Sequence, residues 1–128
     1  MEGYCGVVAK ALTEDLRDAL ENNKYEMYYQ PQFNYEGNCV GVEALFRWNH
    51  PVYGMIYPPL AIKLAAEAGY MTKLDCNVFD KVVAQGEKIK NRFGDEVKIS
   101  INVTGTTIMQ KNMLSIFRKS MTRAHYII

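Results

Sequence analysis

The sequence has few cysteines and histidines and no long apolar run. Its 128 residues include three cysteines and two histidines. An odd number of widely spaced cysteines, without a Cys-x-x-Cys pair, argues against a disulfide framework and against a zinc cluster. We therefore expect free thiols in a reducing cytoplasm. Because histidines are so few, a metal bound to this chain would need oxygen ligands.

The sequence also shows no segment of the kind that directs a protein to a membrane or out of the cell. No apolar run approaches the roughly 20 residues that span a bilayer. The first ten residues lack a basic stretch followed by an apolar one, so no signal peptide is predicted. The 15 basic and 14 acidic side chains leave a net charge of +1, which argues against binding to a nucleic-acid polymer. These features predict a cytoplasmic protein without a membrane segment.

Apolar residues make up 48% of the chain, enough for the core of one domain. Residues 1–11 are predicted to be a lead-in segment and residues 12–128 a single domain. Thr13 is expected to cap a first helix that ends at residues 22–23. Strand patterns over 25–33 and 39–48, separated by a turn with glycine, predict an antiparallel hairpin.

Beyond the hairpin, helices alternate with strands. The pattern predicts a loop at 49–58, a helix at 59–69 and a second helix that is capped by Thr72 and Asp75 and extends to Ile89. A strand at 97–103 and a helix at 106–121 are expected to follow. The C-terminal HYII is predicted to start another strand. This alternation indicates parallel pairing through right-handed crossovers. The predicted fold class is therefore α/β, not a β-sandwich.

Polar side chains share one face of the second strand. Glu43, Leu45 and Arg47 point to the same side, with roughly 13 Å between Glu43 and Arg47, so each of the two charges needs its own partner. If this face meets Gln30 and Asn102, it offers oxygen ligands for a hard divalent cation and a guanidinium for phosphate. That combination suits metal-assisted phosphodiester chemistry. Periodicity alone favours the alternative, in which these side chains face water on a one-sided sheet.

Four groups of residues resemble motifs of the EAL family of cyclic di-GMP phosphodiesterases, and they occur in the family's order. They are Tyr29-Gln30-Pro31, the run GVEALFRW over 41–48, the loop residues His50-Pro51, Gly54 and Pro58, and the run SINVT over 100–104. The resemblance implies a partial (β/α) barrel of TIM-like type with an antiparallel first strand, of which this chain matches only the N-terminal half.

The resemblance also implies roles for individual residues. Glu43 and Asn102 would be metal ligands. Gln30, Leu45 and Arg47 would hold the dinucleotide, with Arg47 on a phosphate. The family hydrolyses one phosphodiester bond of cyclic di-GMP to give the linear dinucleotide, using Mg²⁺ or Mn²⁺ and an activated water.

Departures from the family pattern limit these expectations. The sequence lacks the family's Glu on the fourth strand, the paired Asp on the next, the Lys that helps to activate water and the later Glu-rich and Gln-Gly motifs. Ala61 stands where Phe is usual and Ala66 where Glu is usual. Glu67 follows one position later, and that shift rotates a helical side chain by about 100°. We expect the chain as written to be truncated and inactive as a phosphodiesterase.

Three functions therefore remain open. The chain could be the N-terminal half of a phosphodiesterase domain, a non-catalytic cyclic di-GMP receptor or interaction module, or a remnant that only associates. Open barrel edges predict self-association, with a compact monomer as the alternative. A longer parent would be expected to carry diguanylate cyclase or sensory domains. His50, His125 and Cys76 are predicted to be structural, and Lys98 to face solvent.

Overall fold

A computed structural model describes residues 6–110, 112–113, 115 and 126–127. This part of the chain contains both helices and strands. In order, the elements are α1 (Gly6–Glu21), β1 (Glu26–Phe33), β2 (Cys39–Arg47), β3 (Asn49–His50), β4 (Gly54–Met55), α2 (Pro58–Glu67), α3 (Met71–Ala84), α4 (Gly86–Phe93), β5 (Lys98–Ile101), α5 (Gly105–Ile108) and β6 (Tyr126–Ile127).

Four strands form one sheet in the order β1-β2-β5-β6. Strands β1 and β2 pair antiparallel, whereas β5 is parallel to both β2 and β6. The predicted hairpin and the predicted parallel pairing are both confirmed. Pro31 lies in β1, at one end of this strand order, where a residue without an N–H costs no ladder hydrogen bond.

The helices cover one face of the sheet. On that face Val42 and Ala44 of β2 and Ile99 and Ile101 of β5 are buried, because alternate strand residues point to the same side. They form one core with buried helical residues of α1 and α3, namely Leu12, Leu16, Ala19, Leu20, Leu74, Val78, Phe79 and Val82. The opposite face of the sheet carries the polar positions of the same strands.

A tight turn fixes the register of the hairpin. The side-chain oxygen of Asn34 accepts hydrogen bonds from the backbone N–H groups of Glu36 and Asn38. Gly37 has a φ of +82°, a conformation that suits glycine. The resulting register places Gln30 opposite Glu43 and Tyr28 opposite Leu45.

The first helix begins earlier than predicted. It starts at Gly6, so residues 6–11 are helical and Thr13 is not its cap. The Thr13 hydroxyl instead donates to the carbonyl of Ala9 within the helix. Leu12, Leu16, Ala19 and Leu20 form the buried face of α1. The domain boundary at residue 12 stays a prediction.

The long helix predicted to run through Ile89 is two helices. Helix α3 ends at Ala84 and α4 begins at Gly86, with Gln85 between them at φ −92° and ψ 0°. Glycine is a poor helix former, and the Gln85 side chain accepts a hydrogen bond from the Tyr29 hydroxyl on β1. The predicted cap is also wrong, because the residue before α3 is Tyr70 and no side chain caps the helix.

The C-terminal prediction is confirmed for its strand and in part for its helix. The predicted helix at 106–121 lies partly outside the described residues; in the described part α5 covers Gly105–Ile108, and Met113 and Ser115 are helical as well. The strand predicted from HYII is confirmed as β6. The predicted loop at 49–58 contains a short ribbon formed by β3 and β4. Among the described helices, none combines the length and apolarity needed to cross a membrane.

Candidate functional site

Glu43 lies near the middle of β2, on the face that the helices leave uncovered. Its cross-strand neighbours are Gln30 on β1 and Ser100 on β5. Ladders on both sides hold the backbone of Glu43, and its side chain is half-buried. The position of this carboxylate is therefore set by the centre of the sheet and not by a loop.

Asn102 follows β5 directly and reaches the same carboxylate. Its Nδ2 donates a hydrogen bond of 3.3 Å to Oε2 of Glu43. A carboxylate and a side-chain amide offer the oxygen atoms that Mg²⁺ and Mn²⁺ prefer. The two predicted metal ligands are thus brought together, and their chemistry fits such a cation. No group of three or more His, Cys, Asp or Glu side chains converges within the described residues, so this pair would be part of a ligand set.

Arg47 lies at the carboxyl end of β2. Its Nη1 donates to the carbonyl of Phe46 at 2.8 Å, and its guanidinium carbon is 5.9 Å from the ring centre of Tyr28. The side chain is half-buried. A guanidinium that stacks on an aromatic ring keeps several N–H donors for a planar or tetrahedral anion.

A cavity of about 270 Å³ opens at this end of the sheet, between β2, α2 and α3. Leu45, Arg47 and Asn102 line it, together with Asp75 and Thr104. Gln30 and Glu43 do not line this cavity, although Gln30 is the cross-strand neighbour of Glu43. The predicted site residues therefore share one face of the sheet, and three of them share one cavity.

Asp75 is the residue that the sequence pattern misassigned. It is 2% exposed, and it binds Thr104 and Thr107 instead of capping α3. Its spacing from Val78 and Val82 places it on the apolar face of the helix. A carboxylate on such a face is costly unless it is hydrogen-bonded. The position of Asp75 among apolar residues was therefore the sequence feature that could have indicated a buried, hydrogen-bonded carboxylate.

The remaining polar residues have the structural roles predicted for them where the structure describes them. His50 is 6% exposed, and its Nε2 lies 2.7 Å from Oδ2 of Asp15. Its Nδ1 accepts hydrogen bonds from the backbone N–H groups of Val52 and Tyr53, which fixes the loop after β2. Lys98 is exposed, as predicted. His125 lies outside the described residues.

The two departures on α2 differ in their surroundings. Ala61 is buried in the core, whereas Ala66 is exposed. Glu67 lies 4.0 Å from Lys63 one turn earlier, on the exposed face of α2.

Burial perturbs a few ionisable groups around the sheet. It raises the pKa of the Cys76 thiol, helped by the nearby carboxylates of Asp80 and Asp75. Burial also lowers the pKa of Lys81, against the attraction of Glu26. The Lys81 ammonium donates to the carbonyl of Tyr25 at 2.6 Å, so it ties α3 to the start of β1.

Comparison with known proteins identifies relatives of this chain. The sequence profile of the EAL domain matches residues 13–127. The cyclic di-GMP phosphodiesterase PdeR of Escherichia coli strain K12 is 28% identical over 115 residues, which are 90% of this chain and 17% of PdeR. The probable cyclic di-GMP phosphodiesterase PdeG of the same strain is 33% identical over 114 residues, which are 86% of this chain and 22% of PdeG.

A solved structure shares the fold. The phosphodiesterase PaMucR, in complex with c-di-GMP, superposes with a TM-score of 0.79 at 28% identity, covering 91% of this chain and 49% of that one. The chain thus spans about half of that structure and less than a quarter of PdeR and PdeG. Its mixed helices and strands form part of a TIM-barrel-like fold, as predicted. The family profile and the superposition together establish that the chain belongs to the EAL domain family.

Proposed function

We propose that this chain supplies two metal ligands and the phosphate-binding arginine of a cyclic di-GMP phosphodiesterase site. The observation that carries the proposal is the 3.3 Å contact between Asn102 and Glu43. It joins two residues 59 positions apart, one on β2 and the other directly after the carboxyl end of the parallel strand β5. Barrels of this type place their active sites at the carboxyl ends of their strands.

The roles follow from the position of each side chain. Glu43 and Asn102 would hold Mg²⁺ or Mn²⁺, the cations implied by the family. A bound cation of this kind polarises a phosphoryl oxygen and lowers the pKa of a bound water. Arg47 would bind a phosphate of the dinucleotide through its free N–H donors. Leu45 would contact the nucleotide within the cavity, and Gln30 would do so from β1.

The 128-residue chain alone is expected to bind the dinucleotide without hydrolysing it. Hydrolysis needs a complete set of metal ligands and a group that activates water. The described part of the uncovered face offers Glu43 and Asn102 as ligands and carries no further cluster of acidic side chains. Loss of single members of a catalytic group already lowers rates by orders of magnitude. Binding without turnover would also be the behaviour of a non-catalytic receptor.

Calorimetry with cyclic di-GMP tests the proposal. We expect binding in Mg²⁺ that is lost in chelator and in Glu43→Gln, and that is weakened in Arg47→Met. Matched controls are Glu36→Gln in the hairpin turn and Arg92→Met on α4, which should bind as the wild type does. Binding that is insensitive to chelator and to Glu43→Gln would contradict the metal role. Chromatography of the same mixtures should show no linear dinucleotide.

Two accompanying expectations belong to the same proposal. Strand β1 ends the strand order of the described sheet, and it contains Pro31, a residue type that discourages a further strand from pairing. Self-association through the open edges is therefore expected to be weak, and light scattering at increasing concentration would measure it. A cytoplasmic location and a longer parent with diguanylate cyclase or sensory domains remain predictions.

A further inference from the structure

A buried carboxylate lies beneath the loop that carries Asn102. Oδ2 of Asp75 accepts three hydrogen bonds: from the Thr104 N–H at 3.1 Å, the Thr104 hydroxyl at 2.8 Å and the Thr107 hydroxyl at 2.7 Å. Asp75 is 2% exposed and Thr107 is fully buried. One oxygen thus joins α3 to both ends of the first turn after β5.

This contact leaves Asn102 little freedom. Residue 101 ends the β5 ladder, and Thr104 is held by Asp75 only two positions after Asn102. Thr104 also caps α5, because its hydroxyl accepts from the Thr107 N–H at 3.4 Å. A second hydrogen bond to α3 comes from Gln110, whose Nε2 donates to the Thr72 hydroxyl at 2.6 Å. The Asn102 backbone is therefore fixed on both sides.

We propose that Asp75 is a positioning residue that aims Asn102 at Glu43 and so sets the affinity of this pair for a divalent cation. The inference rests on the proposed function, because it assumes that the pair binds a cation. Groups that orient metal ligands through hydrogen bonds typically account for 10–100-fold in metal affinity. A carboxylate with three donors on one oxygen holds those donors more firmly than a neutral acceptor does.

The decisive variant is Asp75→Asn, which keeps an acceptor oxygen and the side-chain shape but removes the charge. Its matched control is Asp15→Asn. Asp15 is half exposed and contacts the buried His50 at 2.7 Å, so the same substitution disturbs a hydrogen-bonded aspartate away from Asn102. Two readouts are needed on the full 128-residue chain. One is Mn²⁺ affinity by electron paramagnetic resonance, and the other is the NMR signal of the Asn102 side-chain amide without metal.

We expect Asp75→Asn to weaken Mn²⁺ binding about tenfold and to shift the Asn102 amide signal, while Asp15→Asn changes neither. Equal Mn²⁺ affinity in Asp75→Asn and wild type would overturn the inference and leave the proposed function standing. If the wild type binds no Mn²⁺, the proposed function fails. The amide signal then decides the inference: a shift in Asp75→Asn alone supports positioning, and no shift overturns it.

A second pair of variants decides the matter if Asp75→Asn does not fold. Thr104→Val removes the hydroxyl that bonds Asp75, whereas Thr104→Ser restores it. Weaker Mn²⁺ binding in Thr104→Val with recovery in Thr104→Ser supports the inference, because a general loss of packing would not be repaired by the smaller serine. Unchanged binding in Thr104→Val overturns it.

Discussion

Replacing Ile99 by alanine tests the register of the central strand. Ile99 is fully buried on β5, and it pairs with Val42 on one side and Tyr126 on the other. The substitution removes three carbon atoms, worth about 0.8 kcal/mol each in transfer from water. Incomplete collapse around the vacated space adds a cavity cost. We expect the free energy of unfolding to fall by about 3–4 kcal/mol.

Ser100→Ala is the matched control, because Ser100 is the next residue and points to the opposite, uncovered face. Its cost should stay within about 0.5 kcal/mol. Equilibrium unfolding in urea, with fluorescence of the buried Trp48, measures both variants. A larger cost for Ser100→Ala than for Ile99→Ala would mean that β5 is shifted by one residue. Glu43 and Asn102 could not then share a face, since a one-residue slip exchanges the two faces of a strand.

Three further predictions concern residues outside the site. His50→Ala should lower the free energy of unfolding by about 2 kcal/mol, because two backbone N–H groups lose their acceptor; an unchanged urea midpoint would contradict this role. Cys76 should react with iodoacetamide more slowly than a free cysteine at pH 8, since its raised pKa keeps the thiolate scarce; mass spectrometry that finds it the faster would refute this. Hydrogen bonding to Lys73 lowers the pKa of Glu21, so that contact should stabilise the fold above the usual value of 4.5 and cease to do so as pH falls through the lowered pKa. Thermal unfolding of Lys73→Met should therefore differ from wild type at pH 7 and converge with it in acid; a constant difference would contradict this assignment.

The strands were predictable because their signals are local. Local pattern predicted the strands over 39–48 and 97–103, and the turn with glycine predicted the hairpin. The same period of two predicted Glu43 on a polar face of its strand and Asn102 on a polar face of the later strand. The resemblance to the EAL family implies metal-ligand roles for both, and these roles stay a prediction. Their contact across adjacent strands needed the parallel register, which a one-dimensional pattern does not contain.

The helix boundaries were less predictable because tertiary contacts decide them. The Thr13 hydroxyl can cap a helix or bond back within one, and the preceding alanine and leucine residues allow the second outcome. The break at Gln85 coincides with a hydrogen bond from Tyr29, which lies 56 residues away in sequence. The role of Asp75 likewise depends on Thr104, 29 residues later. The local pattern shows that Asp75 is a carboxylate on an apolar helix face, but it does not show which residues bind that carboxylate.

A direct test asks whether Glu43 and Asn102 bind one divalent cation together, as proposed above. Mn²⁺ added in small amounts to isotope-labelled chain broadens the NMR signals of nuclei close to the bound ion. We expect broadening that begins at the backbone amides of Glu43 and Asn102 and disappears in Glu43→Gln. Broadening confined to the exposed acidic residues Asp18 and Glu21 of α1, or broadening that persists in Glu43→Gln, would contradict it.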